Sequence, residues 1–156
     1  MKKNTVLINI SFLSFLILCM AYFIEFGLGH KPCNLCILQR IPYAAAVVLL
    51  PFSIIFHKFK KALIMVVALL FLIGSSISFY HFGIEQGFFE ESFICNLDNN
   101  KITNPEELLK ALEKTVISCK DVTMRFFGLS LATINTLLSL VLSGILLVNL
   151  KNEQNR

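Results

Sequence analysis

Five cysteines stand at positions 19, 33, 36, 95 and 119 of the 156-residue chain, and their spacing is the first feature that could do chemistry. Cys33-Asn34-Leu35-Cys36 is a Cys-x-x-Cys pair. That spacing lets two thiols interconvert between a dithiol and a small disulfide ring, with thiol pKa values often lowered. Zinc sites use the same spacing, so the motif alone leaves redox and metal readings open. The other two cysteines bear on that choice, because Cys95 and Cys119 lie 24 positions apart, without a second Cys-x-x-Cys or a nearby histidine arranged as a ligand. No metal site is expected. A structural disulfide between Cys95 and Cys119 is one reading, and closing a loop of that size stabilises a fold by about 3 kcal/mol in the chain-entropy model. The other is a relay, in which a thiol pair in a long loop collects electrons and a tight pair hands them on.

These thiols must be positioned by membrane elements. Hydrophobic residues make up 56% of the sequence, mean hydropathy is +0.73, and the apolar residues are gathered into long runs. About 20 apolar residues span a bilayer core, and four segments qualify or nearly do: 6–28, 41–56, 62–82 and 126–150. The third carries no Lys, Arg, Asp or Glu, which excludes a soluble domain whose helices need polar faces. The expected fold is an all-α membrane protein, one domain over 1–156, a four-helix transmembrane bundle with a short loop at 29–40 and a long one at 83–125. No internal repeat is present. The first run follows Met1-Lys2-Lys3 without a small-x-small cleavage site and reads as a retained span. Leu18 before Cys19 argues against lipidation.

Orientation rests on charge and on thiols. Met1 to Thr5, His57 to Lys61 and Lys151 to Arg156 hold seven Lys and Arg in 16 residues, while the opposite side holds seven spread through longer loops and mixed with eight acids between Glu85 and Asp121. Density places the first set, and both termini, in the cytoplasm. Four cysteines then lie together on the outer face, where disulfides persist. In the long loop, Asn104-Pro105-Glu106-Glu107 supplies an N-cap, a first-turn proline and early acids, so a helix of about three turns is expected after it.

The second segment, at 16 residues, covers about 24 Å of a core about 30 Å thick and must borrow residues upstream. That draws Cys36, Gln39 and Arg40 to the membrane boundary, where a cation needs a partner. An anionic or carbonyl-bearing ligand and a lipid phosphate both satisfy it. Arg40 at i+4 from Cys36 could stabilise a thiolate if the turn is helical, although Pro42 disfavours helical geometry at Ile41. Gly74, Ser75, Ser78, Ser139 and Ser143 are small residues suited to close helix approach. His81 reads as a boundary polar contact or a proton donor, Glu85 is unassigned, and Cys19, mid-span, reads as packing.

The run Lys31-Pro32-Cys33-Asn34-Leu35-Cys36-Ile37-Leu38-Gln39-Arg40 resembles the Pro-Cys-x-Leu-Cys-x-x-x-Arg signature of the DsbB family, bacterial inner-membrane disulfide oxidoreductases. The second cysteine pair and Arg125-Phe126-Phe127-Gly128-Leu129 extend the resemblance over nearly the whole chain. It implies a protein-dithiol:quinone oxidoreductase with catalytic Cys33, Cys36, Cys95 and Cys119, and with Arg40 binding ubiquinone or menaquinone. It further implies a partner, a periplasmic DsbA-like thioredoxin-fold protein, whose reduced form attacks a Cys95–Cys119 disulfide. Cys95 takes the mixed disulfide, Cys119 attacks Cys33, and Cys36 passes electrons on. Membrane lipid is the other expected contact, and nucleic acid is not expected. Two rivals are an enzyme of the vitamin K epoxide reductase type and a membrane protein with two static disulfides.

Overall fold

A computed structural model of the protein describes residues 2–90, 119, 125–126 and 129–154. Cys95 and the helix expected after Asn104 lie outside the described residues. Helix α1 covers Lys2–Tyr22 and runs into a π-helical turn at Phe23–Gly27. A five-residue helix, α2 (Asn34–Leu38), precedes α3 (Ile41–Ile55). A short 3₁₀ turn, His57–Phe59, leads into α4 (Lys60–Glu85). A two-residue pair of strands, β1 (Arg125–Phe126) and β2 (Leu129–Ser130), pairs antiparallel with Arg125 opposite Ser130 and precedes α5 (Leu131–Gln154).

Four helical stretches are long and apolar enough to cross a membrane: Asn4–Gly27, Asn34–Ile55, His57–Glu85 and Leu131–Asn152. They pack in chain order, α1 on α3, α3 on α4 and α4 on α5. Phe12, Phe15, Met20, Phe52 and Phe79 point outward and are more than two-fifths exposed, the arrangement expected when lipid, and not water, is the surrounding solvent.

Because lipid tails are as apolar as a leucine core, small and polar residues are expected at the helix contacts beside the apolar cluster. The five small residues singled out by sequence are all buried. Gly74 shows why size matters, since a Cβ there would stand 2.8 Å from Pro42 Cγ across the α3–α4 contact. Ser143 Oγ donates to the Ala68 carbonyl at 3.0 Å and Ser78 Oγ to the Ala132 carbonyl at 3.0 Å, tying α5 to α4 at two heights.

Two boundaries differ from the sequence expectation, each for a local reason. The helix of the fourth segment begins at Leu131 and not near 126, because Arg125–Phe126 is held in the strand pair and Ser130 Oγ accepts from the Thr133 backbone N–H at 3.2 Å, capping α5. The second segment does gain residues upstream, as length demanded, but as a separate turn of helix. Pro42 stands in the first turn of α3 without an N–H to offer, and Gln39 and Arg40 form the break between α2 and α3.

Candidate functional site

Cys33 has an extended backbone (φ −72°, ψ 166°) and caps α2, its sulfur accepting from the Cys36 N–H at 3.3 Å. One helical turn brings the two sulfurs to 2.8 Å, as a dithiol. Cys33 is buried and Cys36 partly so. From α4, His81 Nε2 approaches Cys33 Sγ at 3.7 Å, and Glu85, one turn further, places Oε1 3.8 Å from the same nitrogen. The thiol hydrogen bond from Cys36 pulls the Cys33 thiol down to about 4, against the opposing effect of burial, and His81 adds to the lowering. Cys33 is therefore the ionised member of the reduced pair at neutral pH.

Cys119, 1% exposed and itself in a disulfide, packs in one buried cluster with Cys33, Leu35 and Ile84. His81 also makes a hydrogen bond with the backbone of Cys119. The fold thus sets a disulfide sulfur from the long loop beside the Cys-x-x-Cys pair, although the two are more than 80 positions apart in sequence.

His81, read from sequence only as a boundary polar contact or a proton donor, is brought by the fold to the Cys-x-x-Cys pair. Cys33, Cys36 and His81 bring one donor atom each within 4.8 Å of one another, and His81 comes from 48 positions away. Two thiolates sharing a tetrahedral zinc at about 2.3 Å each would stand roughly 3.8 Å apart. These sulfurs are closer than that, at 2.8 Å.

Arg40, which required a partner, has one in Glu25: its Nη1 donates to Oε2 at 2.5 Å, and the guanidinium lies 4.9 Å from the centre of the Tyr22 ring. Sequence reading missed Glu25 as that partner. It missed Gln39, Ser78 and Asn135 as well, which form a buried polar chain with His81, Tyr43 and Ser139. Asn135 was legible in principle, as an amide inside an apolar span.

A cavity of about 530 Å³ opens beside the dithiol. Its walls are apolar side chains of α1, the π-helical turn after it and α5, among them Ile17, Leu18, Ile24 and Leu138, and its lining also includes the polar Cys33, Cys36, Gln39, Arg40, His81 and Glu85.

Residues 3–149 match the family model for disulfide bond formation protein DsbB. The chain belongs to the DsbB family. It is accordingly a helical membrane protein and an oxidoreductase of disulfide bond formation. It is also 28% identical over 145 residues to an uncharacterized protein of Rickettsia prowazekii (strain Madrid E), covering 89% of this chain and 81% of that one. No solved structure matches it. As in the signature read from sequence, the DsbB family member carries Cys33, Cys36 and Arg40 together, here at one end of an apolar cavity.

Proposed function

We propose that this protein reoxidises a periplasmic DsbA-like thioredoxin-fold protein and passes the electrons to quinone in the bacterial inner membrane. The observation that carries the reading is the meeting of three things at one point: a disulfide-bonded Cys119, a reduced Cys33–Cys36 pair and an apolar cavity. Static disulfides would need neither the cavity nor an ionised Cys33.

The incoming partner is oxidised at the Cys95–Cys119 disulfide, with Cys95 holding the mixed disulfide and Cys119 leaving. In the oxidised state of the tight pair, Cys119, in the same buried cluster, attacks Cys33 of the Cys33–Cys36 disulfide, and the sulfur released is Cys36. Each exchange is a thiolate displacement that runs better when the leaving thiol has a low pKa. When the partner closes its own disulfide and frees Cys95, Cys95 attacks Cys119 and releases Cys33, and the Cys33–Cys36 disulfide re-forms as the pair gives up two electrons to the membrane acceptor.

The cavity fits a quinone: its apolar walls suit a ring and the start of an isoprenoid tail, and its polar end offers Arg40 and His81 as hydrogen-bond donors to carbonyl oxygens. A bound quinone supplies a two-electron acceptor. Arg40, held by Glu25, keeps a fixed positive charge at that end of the cavity. Lys and Arg density and the oxidising chemistry of the thiols support an orientation with both termini cytoplasmic and the cysteine loops periplasmic.

The partner is tested by a trap. Cys119→Ala leaves Cys95 without its resolving thiol, so a thioredoxin-fold protein is expected to stay covalently attached to Cys95 and be released by reductant. Recovery of no such adduct from periplasm-exposed membranes would contradict the partner assignment.

A further inference from the structure

Glu85 is a buried acid that the relay above does not use. Its side chain is 6% exposed, at the end of α4. Oε1 faces His81, but Oε2 finds no hydrogen-bond partner among the described residues, and Glu85 lines the cavity with Cys33 and Cys36. Ser14 Oγ is the other such unpartnered atom, and Ser14 does not line that cavity. A carboxylate oxygen kept dry without a donor is unfavourable.

The polar chain behind His81 decides which group can take a proton. Ser78 Oγ donates its one hydrogen to the Ala132 carbonyl at 3.0 Å, which can only accept. It therefore accepts from Asn135 Nδ2 at 3.0 Å, and the second hydrogen on that nitrogen goes to Gln39 Oε1 at 2.9 Å. The Tyr43 hydroxyl completes Asn135 by donating to Oδ1. With its oxygen filled, Gln39 turns Nε2 to His81 Nδ1 at 3.2 Å, and Nδ1 must accept. With Nδ1 accepting, the imidazole proton sits on Nε2, the nitrogen that faces Cys33 Sγ and Glu85 Oε1, and the hydrogen bond to the Cys119 backbone draws on that same proton. A second proton, at Nδ1, would meet the Gln39 N–H head on. His81 is a donor here and not the base.

Cys33 Sγ accepts from the Cys36 N–H and faces His81 Nε2–H, so the proton left on the pair belongs to Cys36. We infer that Glu85 is the proton acceptor for the Cys36 thiol, and that Gln39 and Asn135 are positioning residues that hold His81 as a donor. The inference rests on the redox reading of the pair. In the step, Cys33 thiolate and Cys36 thiol join as a disulfide and the Cys36 S–H bond breaks. Two electrons go to the quinone proposed above, and one proton goes to Glu85 Oε2 and from it to the same acceptor. The second proton taken up by the acceptor comes from the aqueous phase, replacing the one Cys33 gave up on ionising. The other titratable or charged groups lining the cavity are His30, Lys31, Arg40, which is paired with Glu25, and Tyr43, whose hydroxyl donates to Asn135.

The test uses Glu85→Gln, which keeps shape and removes the base, with Glu85→Asp as the conservative control. In full-length protein stripped of quinone, infrared difference spectra are taken between the pair reduced and oxidised by a disulfide buffer. Wild type is expected to gain the C=O stretch of a protonated carboxylic acid on oxidation, and E85Q to lack it. With a soluble short-chain quinone, single-turnover oxidation of the reduced pair should slow about 100-fold in E85Q, in the range of a lost general base, and recover in part in E85D. The same carboxylic-acid band in E85Q, or an unchanged rate, overturns the assignment of Glu85. Failure of wild type itself to pass electrons to quinone is a separate result, and overturns the quinone reading while the infrared arm still judges Glu85.

Discussion

At the scale of single residues, the account turns on one sulfur carrying charge and its neighbour carrying a proton. Thiolate is the reactive form, so a Cys33 thiol held near 4 stays reactive as pH falls, until it is protonated close to that value. Iodoacetamide labelling of Cys33 in the reduced protein is therefore expected to keep a nearly constant rate between pH 7 and about 5, whereas an ordinary thiol loses about tenfold per unit below its pKa of about 8.5. Replacing Cys36 by Ala removes the largest cause of the lowering, and the labelling profile should move to higher pH. A profile in wild type that already falls tenfold per unit from pH 7 would contradict the ionised Cys33. The cysteines themselves were legible in the sequence because Cys-x-x-Cys is a local pattern. His81, Glu85 and Gln39 were not legible as a group, since what joins them to the pair is the packing of α4 against α2, which no spacing encodes.

At the scale of elements, the site depends on two contacts that hold helix ends in place. Arg40, at the break before α3, is paired with Glu25 in the turn that ends α1. Arg40→Ala leaves the Glu25 carboxylate without its cation at a partly exposed position, and a loss of about 1–3 kcal/mol is expected by unfolding in detergent. Adding Glu25→Gln should restore part of it, and strict additivity of the two changes would contradict the pairing. Gly74 against Pro42 is the second contact, where Gly74→Val forces α4 off α3. A cost of about 1–3 kcal/mol follows from overpacking, checked by the unfolding midpoint in the same detergent. An unchanged midpoint would mean the helices are not in contact there. Helix existence was plain from the apolar runs; helix ends were not. The start of α5 was misplaced because Phe126, Phe127 and Leu129 are as apolar as a span requires, while the strand pairing and the Ser130 cap that override them act over only a few residues.

At the scale of the whole molecule, the bundle divides into an apolar half and a polar end. One buried cluster joins α1, α3, α4 and α5 through Leu7, Ile10, Leu50, Ile64, Phe71 and Leu146. The thiol cluster of Cys33, Leu35, Ile84 and Cys119 stands apart from it. This separation lets the loop disulfide reach the dithiol from one side and the cavity reach it from another. If the cysteine loops are periplasmic, a membrane-impermeant maleimide added to intact spheroplasts should label reduced Cys95 and Cys119 and leave a cysteine placed at Lys60 unlabelled. The reverse pattern would invert the topology. The central claim is that electrons leave the thiols through Cys36 to a membrane quinone. It is tested most directly by giving the purified protein a reduced thioredoxin-fold partner and a short-chain quinone, and following quinone absorbance in wild type and Cys36→Ala. The account predicts quinone reduction matched one-for-one by partner disulfide in wild type and none in Cys36→Ala. Continued quinone-dependent oxidation of the partner without Cys36 would contradict it.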